Sequence, residues 1–153
     1  MNDDQNQQLS ELELEFRQEE KGQGSYSPNI LGVSESSYVG YDIRPEDIEA
    51  LFFDGIGIPR WESIKADSIE QQEVLYMERF NDLMSKYPMI GRANDTEQKA
   101  EYTSGEVATL LEECARITSG SSNPKALRAV QKFSLAAQKA AATQSGLELI
   151  PRQ

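Results

Sequence analysis

The chain has no histidine and a single cysteine. The first absence removes the usual general base, the usual zinc ligand and the usual charge switch near neutral pH. Catalysis would have to rest on carboxylates, lysine or tyrosine. The second excludes an intramolecular disulfide framework and fits a reducing cytosol, so a cytoplasmic protein is expected. Apolar runs are short too. Nothing approaches the ~20 residues that cross a bilayer, and the N-terminal stretch is acidic and polar rather than signal-like. Cationic side chains are outnumbered, 15 Lys and Arg against 26 Asp and Glu, which leaves a net charge of −11. Such a field repels nucleic-acid phosphates and anionic membrane surfaces and draws in cationic proteins, although acidity also serves solubility alone.

What is present suits one modest domain. The chain is 153 residues long, 38% hydrophobic and 27% charged, a composition that reads as a compact body with a polar extension. The charge is unevenly spread. Residues 1–54 hold 13 acids and 3 bases, residues 55–120 hold 12 and 7, and residues 121–153 hold 1 and 5, or −10, −5 and +4.

The clearest helical signals lie between Thr103 and Gln144. Val107, Leu110, Leu111, Cys114 and Ile117 share one face of a 3.6-residue period. Thr103 and Glu106 have capping-box spacing, and Ser119-Gly120 marks the end. A second helix starts at Asn123-Pro124, an N-cap followed by a proline whose missing N–H costs nothing there. Gly146 is its expected stop. The short link between them predicts an antiparallel hairpin. On Leu127, Val130, Ser134, Ala137 and Ala141 the second helix presents a small, apolar face. Lys125, Arg128, Lys132 and Lys139 lie opposite, within an arc of roughly 60° at about 100° per residue. That basic stripe suits either an acidic partner or, as we prefer, the acidic N-terminal third of the same chain.

Elsewhere the signals are more local. Leu9, Leu12 and Phe16 fit a helical face with a Ser10/Glu13 capping box, while Leu12, Leu14 and Phe16 alternate like a strand; the helix is favoured. Residues 21–42 carry no helical period and read as a linker or binding arm, pinned by Tyr26, Tyr38 and Tyr41. A short helix starts at Pro45 with Glu46 and Asp47 in its first turn, buries Ile48, Leu51 and Phe52, and ends at Gly55. Asp54-Gly55-Ile56-Gly57-Ile58-Pro59 lacks the lysine and hydroxyl residue of a phosphate loop and reads as a tight apolar turn. Ser68/Gln71 open a long helix that Pro88 stops, and its stripe of Ile69, Tyr76, Phe80, Leu83 and Tyr87, widened by Val74, Met77 and Met84, is expected in the core. Residues 89–102, with Asp95, Glu97 and Glu101, lack calcium-loop order and read as a solvated connector. Leu147 to Ile150 alternates like a short strand, or caps the bundle.

The expected fold is therefore all-α: a small helical bundle built on the 103–144 hairpin, with an irregular acidic arm over residues 1–39 and a helical domain over residues 40–150. No nucleophile–base pair, metal set or nucleotide loop can be assembled. Glu112 and Glu113 are adjacent and point about 100° apart on a helix, and Cys114 sits in an apolar stripe. No cofactor is expected, and no enzyme. Trp61, after Arg60, is a candidate interface anchor if exposed, and a core-edge residue otherwise.

Residues 40–150 resemble a group of small bacterial helical proteins, mostly uncharacterised and found in cyanobacteria. The resemblance is carried by Tyr41-Asp42-Ile43-Arg44-Pro45-Glu46-Asp47-Ile48-Glu49-Ala50-Leu51-Phe52-Phe53, by Gly57-Ile58-Pro59-Arg60-Trp61, and by Tyr102-Thr103-Ser104-Gly105-Glu106-Val107 leading into Leu110-Leu111-Glu112-Glu113-Cys114. Ser122-Asn123-Pro124-Lys125-Ala126-Leu127-Arg128-Ala129 and Gly146-Leu147 belong to it too. It implies an immunity or accessory protein of a toxin system and assigns no functional residue. Together with the charge, it leads to a non-enzymatic interaction module, an immunity-type inhibitor of a basic toxin, with contacts at Glu46, Asp47, Glu49, Asp54 and Trp61. The alternative is a structural subunit of a larger assembly such as a phage virion or neck. No nucleic acid or membrane is expected as partner.

Overall fold

The computed structural model describes residues 11, 13–18, 24–31 and 37–151. It is not all-α. A four-stranded antiparallel sheet in the order β2-β1-β4-β3 packs with the helices, so the architecture is mixed α/β. Its strands are β1 (Tyr26–Ile30), β2 (Ser37–Tyr38), β3 (Ala100–Tyr102) and β4 (Leu147–Pro151). β4 lies between β1 and β3, pairing Ile30 with Leu147 and Tyr26 with Pro151 on one side, and Tyr102 with Leu147 on the other.

The sheet corrects the reading of the N-terminal region as an irregular arm. β1 is interior, and Tyr26 is fully buried, its hydroxyl donating to the carbonyls of Asp95 at 2.5 Å and Gln98 at 3.1 Å. Pro28 is tolerated there because its carbonyl faces Val39, whose N–H it accepts at 3.0 Å. The N–H that proline lacks would point the same way, so the β4 ladder loses nothing. The helical reading of residues 13–18 (α1) holds, and Phe16 is buried edge-on against Tyr41. Leu9, Ser10 and Leu12 lie outside the described residues, as does the Tyr38 side chain.

The other helices are α2 (Pro45–Ala50), α3 (Ile69–Lys86), α4 (Ser104–Gly120) and α5 (Pro124–Ala142). α4 begins with the expected capping box, both halves formed, and Asn123 caps α5 through its side-chain oxygen to Lys125 N at 2.9 Å and Ala126 N at 3.0 Å. α5 is the centre of the molecule. α4, α2 and the sheet all pack on it, so it is enclosed on several sides rather than on one apolar face. Its buried alanines 126, 129, 136, 137 and 140 permit that close approach. Full burial of a Leu, Val or Phe is worth about 1.5–3 kcal/mol, and Leu110, Val130, Phe133 and Leu147 are all 0–1% exposed.

Three local expectations are revised. α2 does not stop at Gly55; it widens into a π-helical turn, Leu51–Ile56, and closes at Gly57, whose φ of 95° is the left-handed conformation glycine tolerates best. Gly146 is not the left-handed stop of α5. Gln144 holds that conformation at φ 53°, whereas Gly146 is needed because an added Cβ would lie 2.7 Å from the Tyr102 carbonyl oxygen. The 89–102 connector is only partly solvated: a 3-10 turn, Ile90–Ala93, buries Ile90 and Ala93, and β3 follows.

The largest revision concerns α3, whose stripe was expected in the core. None of its residues is buried. Tyr76, Phe80, Leu83, Met84 and Tyr87 touch the core from outside, while Ile69 is 74% exposed, Val74 56% and Met77 43%. The period of the sequence is right, but only one flank of the helix meets the body.

Candidate functional site

The acids of α2 divide between two faces. Glu46 and Glu49, three apart on the helix, look outward together with Asp54 on the following π-turn. They line a cleft of about 410 Å³ with Arg60 and the start of α5 at Asn123, Pro124 and Lys125. Asn123 ties the two walls: its side-chain nitrogen donates to Asp54 Oδ2 at 3.0 Å while its oxygen caps α5. Arg60 lies 3.5 Å from the Glu49 carboxylate and 4.3 Å above the centre of the Phe53 ring. Arg44 stands 3.9 Å from Glu46.

Asp47 is not part of this cleft. It is 2% exposed, and Arg128 of α5 sits 3.4 Å from it. Its role as a contact residue gives way to a structural one. Around it the basic stripe of α5 is met from within the chain, as the sequence reading preferred. Lys132 is fully buried and donates Nζ to the Asp42 carbonyl at 2.8 Å, Lys139 pairs with Glu13, and both Arg128 and Lys132 lie over the Phe16 ring. Lys125 alone of the four lies exposed at the cleft rim.

Trp61 is 40% exposed and so is not a core-edge residue. It opens a 3-10 turn, Trp61–Ser63, meets Tyr76 of α3 edge-on at 5.8 Å, and has its carbonyl fixed by the Gln72 side chain at 2.9 Å. Tyr76 in turn stacks on Phe80 at 6.2 Å. These two rings, with Ile48, Phe52, Phe53 and Ile58, line an apolar groove of about 400 Å³ between α2 and α3. Glu49 belongs to both the groove and the cleft, which makes them one continuous surface.

The structure thus brings together Glu46, Glu49 and Asp54, leaves Trp61 exposed against Tyr76, one of the rings of the adjoining groove, and removes Asp47. Sequence reading did not join Arg60 to Glu49 or Asn123 to Asp54, and it assigned Phe53 no role. The adjacent pair Phe52-Phe53 carried a signal: on one helical turn the two rings cannot both face the same core, and Phe53 is the half-buried one.

The remaining reactive groups are held in place. Cys114 is 1% exposed, and burial with Glu113 beside it pushes its thiol up to about 12. Glu113 is fully buried too, and burial raises its carboxyl above the ordinary value against the lowering effect of N–H bonds from Ile90 at 2.9 Å and Met89 at 3.0 Å. No helix among the described residues is long and apolar enough to cross a membrane. Comparison with protein families, curated proteins and solved structures gives no significant match.

Proposed function

We propose that the protein is a non-enzymatic interaction module that holds a basic protein partner against the cleft and groove, as an immunity-type inhibitor of a basic toxin does. The single observation that carries this reading is the convergence of Glu46, Glu49 and Asp54 on one cleft, beside an aromatic groove and the exposed Trp61. Carboxylates at a rim accelerate encounter with a cationic surface, and an aromatic pocket at its centre supplies residence time. The net charge of −11 extends the attraction beyond the cleft.

The test is kinetic. A partner captured from the native host should associate at a rate that falls steeply with added salt, because exposed charges are screened within a Debye length of about 10 Å at 0.1 M. The triple variant Glu46→Gln, Glu49→Gln, Asp54→Asn should slow association about tenfold at low salt and leave dissociation less affected. An association rate indifferent to salt counts against the reading.

A second reading, a structural subunit of a larger assembly, is favoured by one specific observation: α3 buries none of its residues and exposes Ile69, Val74 and Met77. Size-exclusion chromatography separates the two. A stable large oligomer supports assembly, and a monomer supports the inhibitor.

A further inference from the structure

Arg60 already reveals what the wall between cleft and groove can bind. Its guanidinium lies 4.3 Å over the Phe53 ring, and its Nη1 is 3.5 Å from the Glu49 carboxylate. A planar cation placed so gains from the ring face and from the carboxylate at once, a geometry that suits a guanidinium better than an ammonium. The contact is open to exchange, because the Arg60 and Glu49 side chains are 54% and 58% exposed and exposed pairs of this kind are weakly held. The same Phe53 and the same Glu49 also line the groove, whose apolar lining includes Ile48, Phe52, Ile58, Tyr76 and Phe80, with Ser25, Asn94 and Thr96 as further polar members. Largely apolar walls that include an exposed carboxylate match a side chain that is aliphatic along its stem and cationic at its tip.

We propose that the groove is an arginine slot. It takes an arginine side chain of the partner, with the stem against Ile48, Phe52 and Ile58 and the guanidinium stacked among the rings and paired with Glu49. Arg60 is the resident competitor for that carboxylate. This deepens the reading of the cleft as a docking surface for a basic protein and rests on it. The slot discriminates by chemistry. An aliphatic side chain would gain from the walls and nothing from Glu49, and a lysine would forgo planar stacking on the rings.

The experiment uses the full chain and an acetylated peptide of glycines carrying two arginines, compared with its lysine, citrulline and norleucine counterparts. Titration is followed by NMR shifts, which register millimolar binding, and by Trp61 fluorescence. The arginine peptide should bind about tenfold more tightly than the citrulline peptide, which has nearly the same shape without the charge. Glu49→Gln should remove that preference. Arg60→Ala should strengthen arginine binding several-fold by vacating the carboxylate, and circular dichroism should show both variants folded. Equal binding of the citrulline or norleucine peptide, no detectable arginine binding, or an Arg60→Ala variant that binds no better would each overturn the slot. The slot and the docking surface fail separately. If the captured partner still associates in a salt-dependent manner while the peptides show no preference, the slot is wrong and the surface stands. If the peptides discriminate but partner association ignores salt, the slot stands as a binding site and the inhibitor reading fails.

Discussion

Lys132 donates its Nζ to the main-chain carbonyl of Asp42 at 2.8 Å, with neither residue exposed to solvent. The bond ties the central helix to the segment that leads into α2, and so to the helix that carries the cleft acids. Lys132→Met keeps the volume and removes the donor that satisfies the buried Asp42 carbonyl. Leaving a buried acceptor without its donor costs about 1–3 kcal/mol. Urea denaturation should show a loss of about that size, and a neutral substitution would mean the lysine contributes only its stem.

Acid should weaken the molecule through Glu106. The Arg92 guanidinium, followed by the Thr103 N–H, holds its carboxyl down at about 2 against an ordinary 4.5. Since the folded value lies below the unfolded one, the stabilisation is complete above pH 4.5 and is lost as the pH falls toward 2. Glu106→Gln should be less stable than the wild type at neutral pH, and the gap should close across that window. A gap of constant size in chemical denaturation at several pH values would refute the assignment.

Gly57→Ala isolates backbone strain from packing. The position has φ 95°, and an added Cβ would meet nothing within 4 Å. The whole cost is the left-handed conformation, about 1 kcal/mol. Gly57→Asn should lose less, because asparagine tolerates that region. Thermal melts of the two variants give the comparison, and an alanine variant as stable as the wild type would place the turn in another conformation.

Cys114 should be silent in the native protein. Its thiol is buried and held protonated to about pH 12, whereas thiol reagents attack the thiolate. Labelling with an aromatic disulfide reagent at pH 8 should proceed only at the rate of opening of α4 and rise sharply in denaturant. Rapid stoichiometric labelling without denaturant would show that the α4 face is accessible.

Much of the helical skeleton was legible because its signals are local. Asn123-Pro124 and the Thr103/Glu106 box fix helix starts through bonds spanning two or three residues, and these are the caps observed. The sheet was not legible because its evidence is remote. Residues 26–30 offer no alternation and contain Pro28, and what makes them a strand is the ladder that pairs them with Leu147–Pro151, more than a hundred residues on. Only β4, with its alternating Leu147 and Leu149, announced itself. For α3, periodicity identified a flank but not how much of the helix the body covers, so Val74 and Met77 were placed in a core they do not reach. At the site, nearness along the chain grouped the four acids together, and only the fold could turn Asp47 inward onto Arg128 and leave Glu46, Glu49 and Asp54 outside.

The place of β4 bears on how the protein comes into being. β1 and β3 each lie against β4 and not against each other, so on the ribosome residues 26–30 have no ladder on that side until residue 151 has been synthesised. While residues 31–146 are being made, that segment lacks its β4 neighbour, and an unpaired edge is the kind of surface that recruits neighbouring nascent chains into aggregates. Pro28 leaves a gap only in the row that faces Val39, so the β4-facing row waits with its donors and acceptors intact and the ladder can close there in full once residue 151 has emerged.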